Sequence, residues 1–168
     1  PTVLHSIGST SSRMKPVVAI VGRPNVGKST LYNRLVGRQS AIVSDIAGTT
    51  RDRVISEVEW GDRTFILVDT GGLDLFPETD LWRQVKAQID LAIVDADVIV
   101  MLVDAATGST AADADAADLL RRTVKPVVLA ANKSDNQERT FSAVEFYELG
   151  LGDPTPISAY HNIGVDDL

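Results

Sequence analysis

The sequence predicts an α/β domain built on a largely parallel sheet, and three observations predict it. Short apolar runs rich in β-branched residues recur at 17–21, 98–103 and 127–131, as in strands buried on both faces. Stretches of helical length and amphipathic or Ala-rich character separate them. A chain of 168 residues, 44% apolar, suffices for one full core and is short for two ordinary domains.

The elements follow in order. Residues 1–15, rich in Ser and Thr and lacking an apolar signal segment, read as a disordered or vector-derived tail; the domain spans 16–168. A buried strand at 17–21 leads into a helix at 28–36. Residues 54–60 alternate, with Glu57 and Glu59 on one face, which predicts an antiparallel edge strand; the Gly61-Asp62 turn joins it to a strand at 64–68. Leu81, Val85, Ile89 and Ala92 carry helical spacing through 80–94. Between the strands at 98–103 and 127–131, Thr110 and Asp113 give a capping-box start to an Ala-rich helix ending near Arg122. A helix at 141–149 closes on Gly150, a short strand follows at 156–158, and the chain reaches Leu168 barely into a closing helix. The sum is a mostly parallel six-stranded sheet with one antiparallel edge strand and helices on both faces.

Charge and composition narrow the function. The net charge is -7, and ten acidic residues between Asp74 and Asp118 face only Arg83 and Lys86, a balance that disfavours nucleic-acid binding by this domain. The absence of cysteine rules out disulfides and thiolate metal sites, and no apolar run is long enough to span a bilayer. Both fit a cytoplasmic protein.

Three motifs carry chemistry. Gly22-Arg23-Pro24-Asn25-Val26-Gly27-Lys28-Ser29, between a buried strand and a helix, fits the phosphate-binding pattern G-x-x-x-x-G-K-[ST]. Its glycines let backbone N–H groups wrap the phosphates, Val26, Gly27 and Thr30 complete the cradle, Lys28 reaches the β- and γ-phosphates, and Ser29 can ligate Mg²⁺. Asp69-Thr70-Gly71-Gly72, at a strand end, places an acid for Mg²⁺ and a Gly72 N–H that senses the γ-phosphate. Asn132-Lys133-Ser134-Asp135 follows a buried strand; Asp135 can accept from guanine N1–H and the 2-amino group, Asn132 can bond the base edge and brace the loop, and the Lys133 stem can cover the ring. Two weaker signals add Ser158-Ala159, a backbone donor for guanine O6, and Thr50 within Gly48-Thr49-Thr50-Arg51-Asp52, a further Mg²⁺ ligand when the γ-phosphate is bound. The fold is thus a P-loop NTPase G domain.

These five motifs in this order resemble the translation-factor-related GTPases. Gly22 to Leu31, Thr50-Arg51-Asp52-Arg53, Asp69-Thr70-Gly71-Gly72, Phe146-Tyr147-Glu148-Leu149-Gly150-Leu151-Gly152 and Ser158-Ala159-Tyr160-His161 with Gly164 resemble the first G domain of the Der (EngA) family of ribosome-assembly GTPases. The resemblance covers nearly everything after the tail. Ala47 departs from it, standing where the family usually has proline. It implies a GTP/GDP switch with Mg²⁺, Tyr160 beside the nucleotide, and a large-ribosomal-subunit partner reached through a longer protein with a second G domain and a KH-like domain. It also implies a K⁺ ion held near the phosphates by Asn25.

Leu73 stands where many GTPases carry a glutamine that orients the attacking water, and no arginine finger is evident. Slow intrinsic hydrolysis is therefore expected, on the order of 10⁻³ s⁻¹ or below. Lys28, Asn25, Thr50 and Gly72 are the expected catalytic set. Two other readings stay open: an interaction module with negligible turnover, and the G domain of a tRNA-modifying relative. His161 is expected in a loop or packing role, and His5 in the tail.

Overall fold

The computed structural model describes residues 15–37, 42–43, 54–60, 63–70 and 81–168. Its elements run β1 (Val17–Val21), α1 (Lys28–Gly37), β2 (Ile42–Val43), β3 (Val54–Trp60), β4 (Arg63–Asp69), α2 (Leu81–Asp95), β5 (Val98–Asp104), α3 (Ala111–Arg121), β6 (Val127–Asn132), α4 (Gln137–Ser142) and β7 (Thr155–Pro156). Short 3₁₀ segments occupy Ala143–Leu149 and Val165–Asp167.

Among the described residues a single sheet of seven strands is ordered β2-β3-β4-β1-β5-β6-β7. The six expected strands are present, and β4, β1, β5, β6 and β7 pair in parallel. The hairpin of β3 and β4 is antiparallel from Val54↔Asp69 to Trp60↔Arg63. The addition is β2, paired antiparallel with β3 through Ile42↔Glu57 and Val43↔Ser56. The antiparallel strand β3 therefore lies inside β2. Two residues are too few to leave a periodic signal in a sequence.

The sheet is covered on both faces. Successive residues of β1 alternate between two cores: Ala19 and Val21 pack with Val85, Ile89, Ala117 and Phe146, while Val18 and Ile20 pack with Leu31, Leu35, Ile157 and Leu168. Every residue of β5 is buried. Helices α2 and α3 thus cover one face, and α1 with the C-terminal segment covers the other.

Local chemistry sets the helix ends. Thr110 caps α3, accepting from the Asp113 N–H and donating its own N–H to Asp113 Oδ2, the expected capping box. The last helical stretch begins earlier than the apolar spacing suggests, because Asn136 Oδ1 accepts the Arg139 N–H at 2.9 Å and starts α4 at Gln137. It then tightens into 3₁₀ form over Ala143–Leu149 and stops at Gly150, whose φ of 69° is left-handed. The final strand also shifts: Thr155 and Pro156 pair with β6, while Ser158 turns away to bridge Ile163. The closing helix is represented by one 3₁₀ turn, Val165–Asp167.

Candidate functional site

Strand β1 has β4 on one side and β5 on the other, so the direction in which the sheet grows reverses there. Ligands of open α/β sheets bind beyond the carboxyl ends of the strands at such a point. The phosphate-binding loop leaves β1 at this position and enters α1 at Lys28. Its backbone is fixed by close contacts. A Cβ on Gly22 would lie 2.6 Å from the Leu102 carbonyl oxygen, and one on Gly27 only 2.2 Å from Asn132 Nδ2. Gly27 also holds φ at +105°, where side chains are strained. The buried Lys28 ammonium donates to the carbonyls of Gly22 (2.8 Å) and Arg23 (2.9 Å), at the mouth of its own loop.

The Asn132-Lys133-Ser134-Asp135 loop is bound to this one directly. Asn132 Nδ2 donates to the Val26 carbonyl at 2.8 Å, and Asn132 Oδ1 accepts the Ala159 N–H at 2.9 Å. One buried amide therefore ties three loops together. Within the Ser158-Ala159 pair, the Ala159 N–H is directed to Asn132, whose amide oxygen would otherwise be buried without a donor. Lys133, at φ 65°, donates to the Asn25 carbonyl (3.0 Å) and to Asp104 Oδ2 (2.8 Å). Arg34 of α1 donates to the Ala159 and Tyr160 carbonyls from the opposite side.

Two adjoining clefts result. One, about 510 Å³, is lined by Pro24, Asn25, Gly27, Lys28, Ser29, Thr30 and Lys133. The other, about 270 Å³, lies against Asn132, Lys133, Asp135, Ser158 and Tyr160, with Arg139 and His161 at its wall. Gly27, Thr30 and Lys133 line both. Asp135 Oδ1 accepts from Arg139 Nη1 at 2.9 Å, and His161 Nε2 stands 3.7 Å from Asp135 Oδ2. His161 is in a loop, as expected, but its ring meets Tyr160 edge-on at 4.9 Å rather than packing inside.

Ser29 Oγ donates to Asp69 Oδ2 at 3.3 Å, so two of the three expected Mg²⁺ ligands meet at the ends of α1 and β4. A hydroxyl and a carboxylate are hard oxygen donors, and Mg²⁺ usually takes one or two protein ligands beside phosphates and waters. Thr70 donates its hydroxyl to the Ile20 carbonyl and to Gln88 Oε1, which also accepts the Gly22 N–H at 3.0 Å. Thr50, Gly72 and Leu73 lie outside the described residues.

Motif reading missed several supports. Arg23 Nε donates to Asp113 Oδ1 at 2.9 Å, anchoring the phosphate loop to α3. Asp104, Gln88, Arg34 and Arg139 belong to no motif. Only Asp104 carried a usable signal, an acid at the carboxyl end of an otherwise apolar strand. Burial alone would raise the Asp104 pKa, but the Lys133 hydrogen bond, the Ala106 N–H, the Lys133 charge and the Thr107 hydroxyl together hold it below the usual carboxylate range.

Comparison with known proteins agrees with this geometry. Residues 17–133 match the model of the family described as 50S ribosome-binding GTPase. The chain is 56% identical over 161 residues to a Chloroflexus aggregans protein named GTPase Der, covering 92% of this chain and 36% of that one. It therefore spans about a third of the length of such relatives. Among solved structures, an Aquifex aeolicus Era variant bound to GDP·AlF₄⁻ aligns with a TM-score of 0.63 at 30% identity, over 92% of this chain and 55% of that one. Era in complex with MgGDPNP and a 16S ribosomal RNA segment aligns with a TM-score of 0.65 at 32% identity, over 92% and 54%. The resemblance to the Der family and the P-loop fold class are thereby borne out. No described helix is long and apolar enough to cross a membrane.

Proposed function

The chain belongs to the family of 50S ribosome-binding GTPases, and on that premise we propose that this domain binds GTP and GDP with Mg²⁺, hydrolyses GTP slowly, and is the nucleotide switch of a large-subunit assembly factor. The observation that carries this reading is the buried Asn132 amide, which joins the phosphate loop, the base-reading loop and the Ser158-Ala159 loop around two adjoining clefts. A phosphate loop alone would serve any nucleotide. Its rigid coupling to Asp135 supports guanine, since adenine has no donors for that carboxylate.

The positions of the described residues support the following roles. Lys28 supplies positive charge to the β- and γ-phosphates, and the α1 N-terminus adds its dipole. Val26, Gly27 and Thr30 line the phosphates, and Tyr160 with Ser158 and Ala159 borders the base. Ser29 and Asp69 hold Mg²⁺, which neutralises phosphate charge when bound; Thr50 and Gly72 respond to the γ-phosphate. With no arginine finger evident, the site gains that positive charge from K⁺ beside Asn25, whose carbonyl is already fixed by Lys133. The ribosomal contact, the second G domain and the KH-like domain belong to the longer protein, which works in the cytoplasm. The similarity to proteins named GTPase Der does not favour the tRNA-modifying alternative.

The test is GTP hydrolysis in K⁺ and in Na⁺ at equal ionic strength, for the wild type and Asn25→Ala. Faster turnover in K⁺, lost in the variant, is expected. Equal and near-zero rates despite tight GTP binding would replace the enzyme with a nucleotide-gated interaction module.

A further inference from the structure

Asp104 lies at the end of β5, with its Cα in register with Asn132 of β6, so the next residue of that strand's loop, Lys133, emerges beside it. The Ala105 N–H donates to the Asn132 carbonyl at 2.8 Å and fixes the two strand ends together. The two oxygens of Asp104 divide their work. Oδ1 accepts the N–H groups of Ala106 (2.8 Å) and Thr107 (3.3 Å), which shapes the turn after β5. Oδ2 accepts the Thr107 hydroxyl (3.1 Å) and the Lys133 ammonium (2.8 Å).

We infer that Asp104 is a positioning residue for the nucleotide, pinning the Lys133 ammonium so that the Lys133 stem already stands along the base cleft when nucleotide arrives. The inference deepens the guanine-nucleotide reading above and rests on it. A lysine has many rotamers, and restraining them on binding would weaken affinity. Here the restraint belongs to the fold. The Asp104 side chain is 7% exposed and Lys133's 39%, so the acid is part of the scaffold while the lysine reaches the cleft. The same ammonium bonds the Asn25 carbonyl, so Asp104 acts on the base roof and the phosphate loop through one contact. The contact sets the Lys133 stem along the base cleft, and the base is common to GTP and GDP. GTP and GDP must then depend on it equally.

The experiment is dissociation of fluorescently labelled GDP and GTP from Asp104→Asn, Lys133→Met and the double variant, with melting followed in parallel. Asp104→Asn keeps an acceptor for the turn N–H groups and loses the charge facing Lys133. Its dissociation rates should rise about tenfold for both nucleotides, the scale of one charge-assisted hydrogen bond. The double variant should be no worse than Lys133→Met alone, because the acid acts only through the lysine. Thr107→Val removes another donor to the same oxygen without touching Lys133 and should leave dissociation unchanged. Multiplying effects in the double variant, or equal acceleration by Thr107→Val, would overturn the inference and make Asp104 a turn residue only. Failure of the wild type to bind labelled GDP would overturn the guanine reading itself, and this inference with it.

Discussion

Gly27 and Asn132 stand so close that a single added carbon cannot fit between them: a Cβ at Gly27 would lie 2.2 Å from Asn132 Nδ2. The contact lets the Asn132 amide reach the Val26 carbonyl with one end and the Ala159 N–H with the other. Asn132→Ala should destabilise the domain by about 2–4 kcal/mol, since it leaves a buried acceptor and a buried donor unpaired. Gly27→Ala should weaken GDP binding as well, through a clash and a φ of +105° that alanine resists. Denaturant unfolding and GDP titration measure both. A stable Asn132→Ala variant would mean that the three loops hold without the amide.

Asp135 should decide which base is bound. Replacing it with asparagine presents one acceptor and one NH₂ donor where two acceptors stood. Guanine then loses a hydrogen bond and meets a donor, while xanthine, with a 2-oxo group, gains a partner. Asp135→Asn should weaken GDP by roughly 10²–10⁴-fold, the loss of one hydrogen bond to a charged group plus the cost of a guanine donor left facing another donor, and strengthen XDP. Competition between the two diphosphates reads this directly. Unchanged preference for GDP would remove Asp135 from the base site.

The core was legible from sequence because its signals are dense. Strands buried on both faces must be apolar throughout, and β1, β5 and β6 are close to that. The capping box of Thr110 and the stop at Gly150 were equally readable, since each needs only a few neighbouring residues. What stayed hidden was long-range. Gln88 meets Gly22 and Thr70 only because α2 packs against β1, a matter of tertiary placement that helical spacing does not encode. Arg139 looks like any solvated charge until α4 begins at Gln137 and turns it onto Asp135.

Arg23 and Asp113 provide a sharper stability test than the exposed ion pairs. The guanidinium is 15% exposed and the carboxylate 1%, and the pair joins the phosphate loop to α3. Arg23→Ala leaves a buried carboxylate without its cation and should cost about 3–5 kcal/mol. Arg23→Met with Asp113→Asn removes both charges, keeps an acceptor for the Thr110 cap, and should recover most of that loss. Chemical denaturation of the three proteins checks the order. A double variant as weak as Arg23→Ala would show that the methionine packs poorly, rather than that a stranded charge is the cause.

The depressed pKa of Asp104 gives its interactions a pH signature. Its folded-state value lies below the ordinary one, so the unfolded chain takes up the proton first as pH falls. The stability it contributes is therefore fully present above the ordinary aspartate range, about 3.9, and is lost as pH falls through the folded-state value. The stability gap between the wild type and Asp104→Asn should be constant from neutral pH down to about 5 and shrink steadily below 4. Urea unfolding at successive pH values measures it. A gap that widens on acidification would mean that the charge on Asp104 opposes folding, and that burial outweighs the Lys133 ammonium, the Thr107 hydroxyl and the turn amides combined.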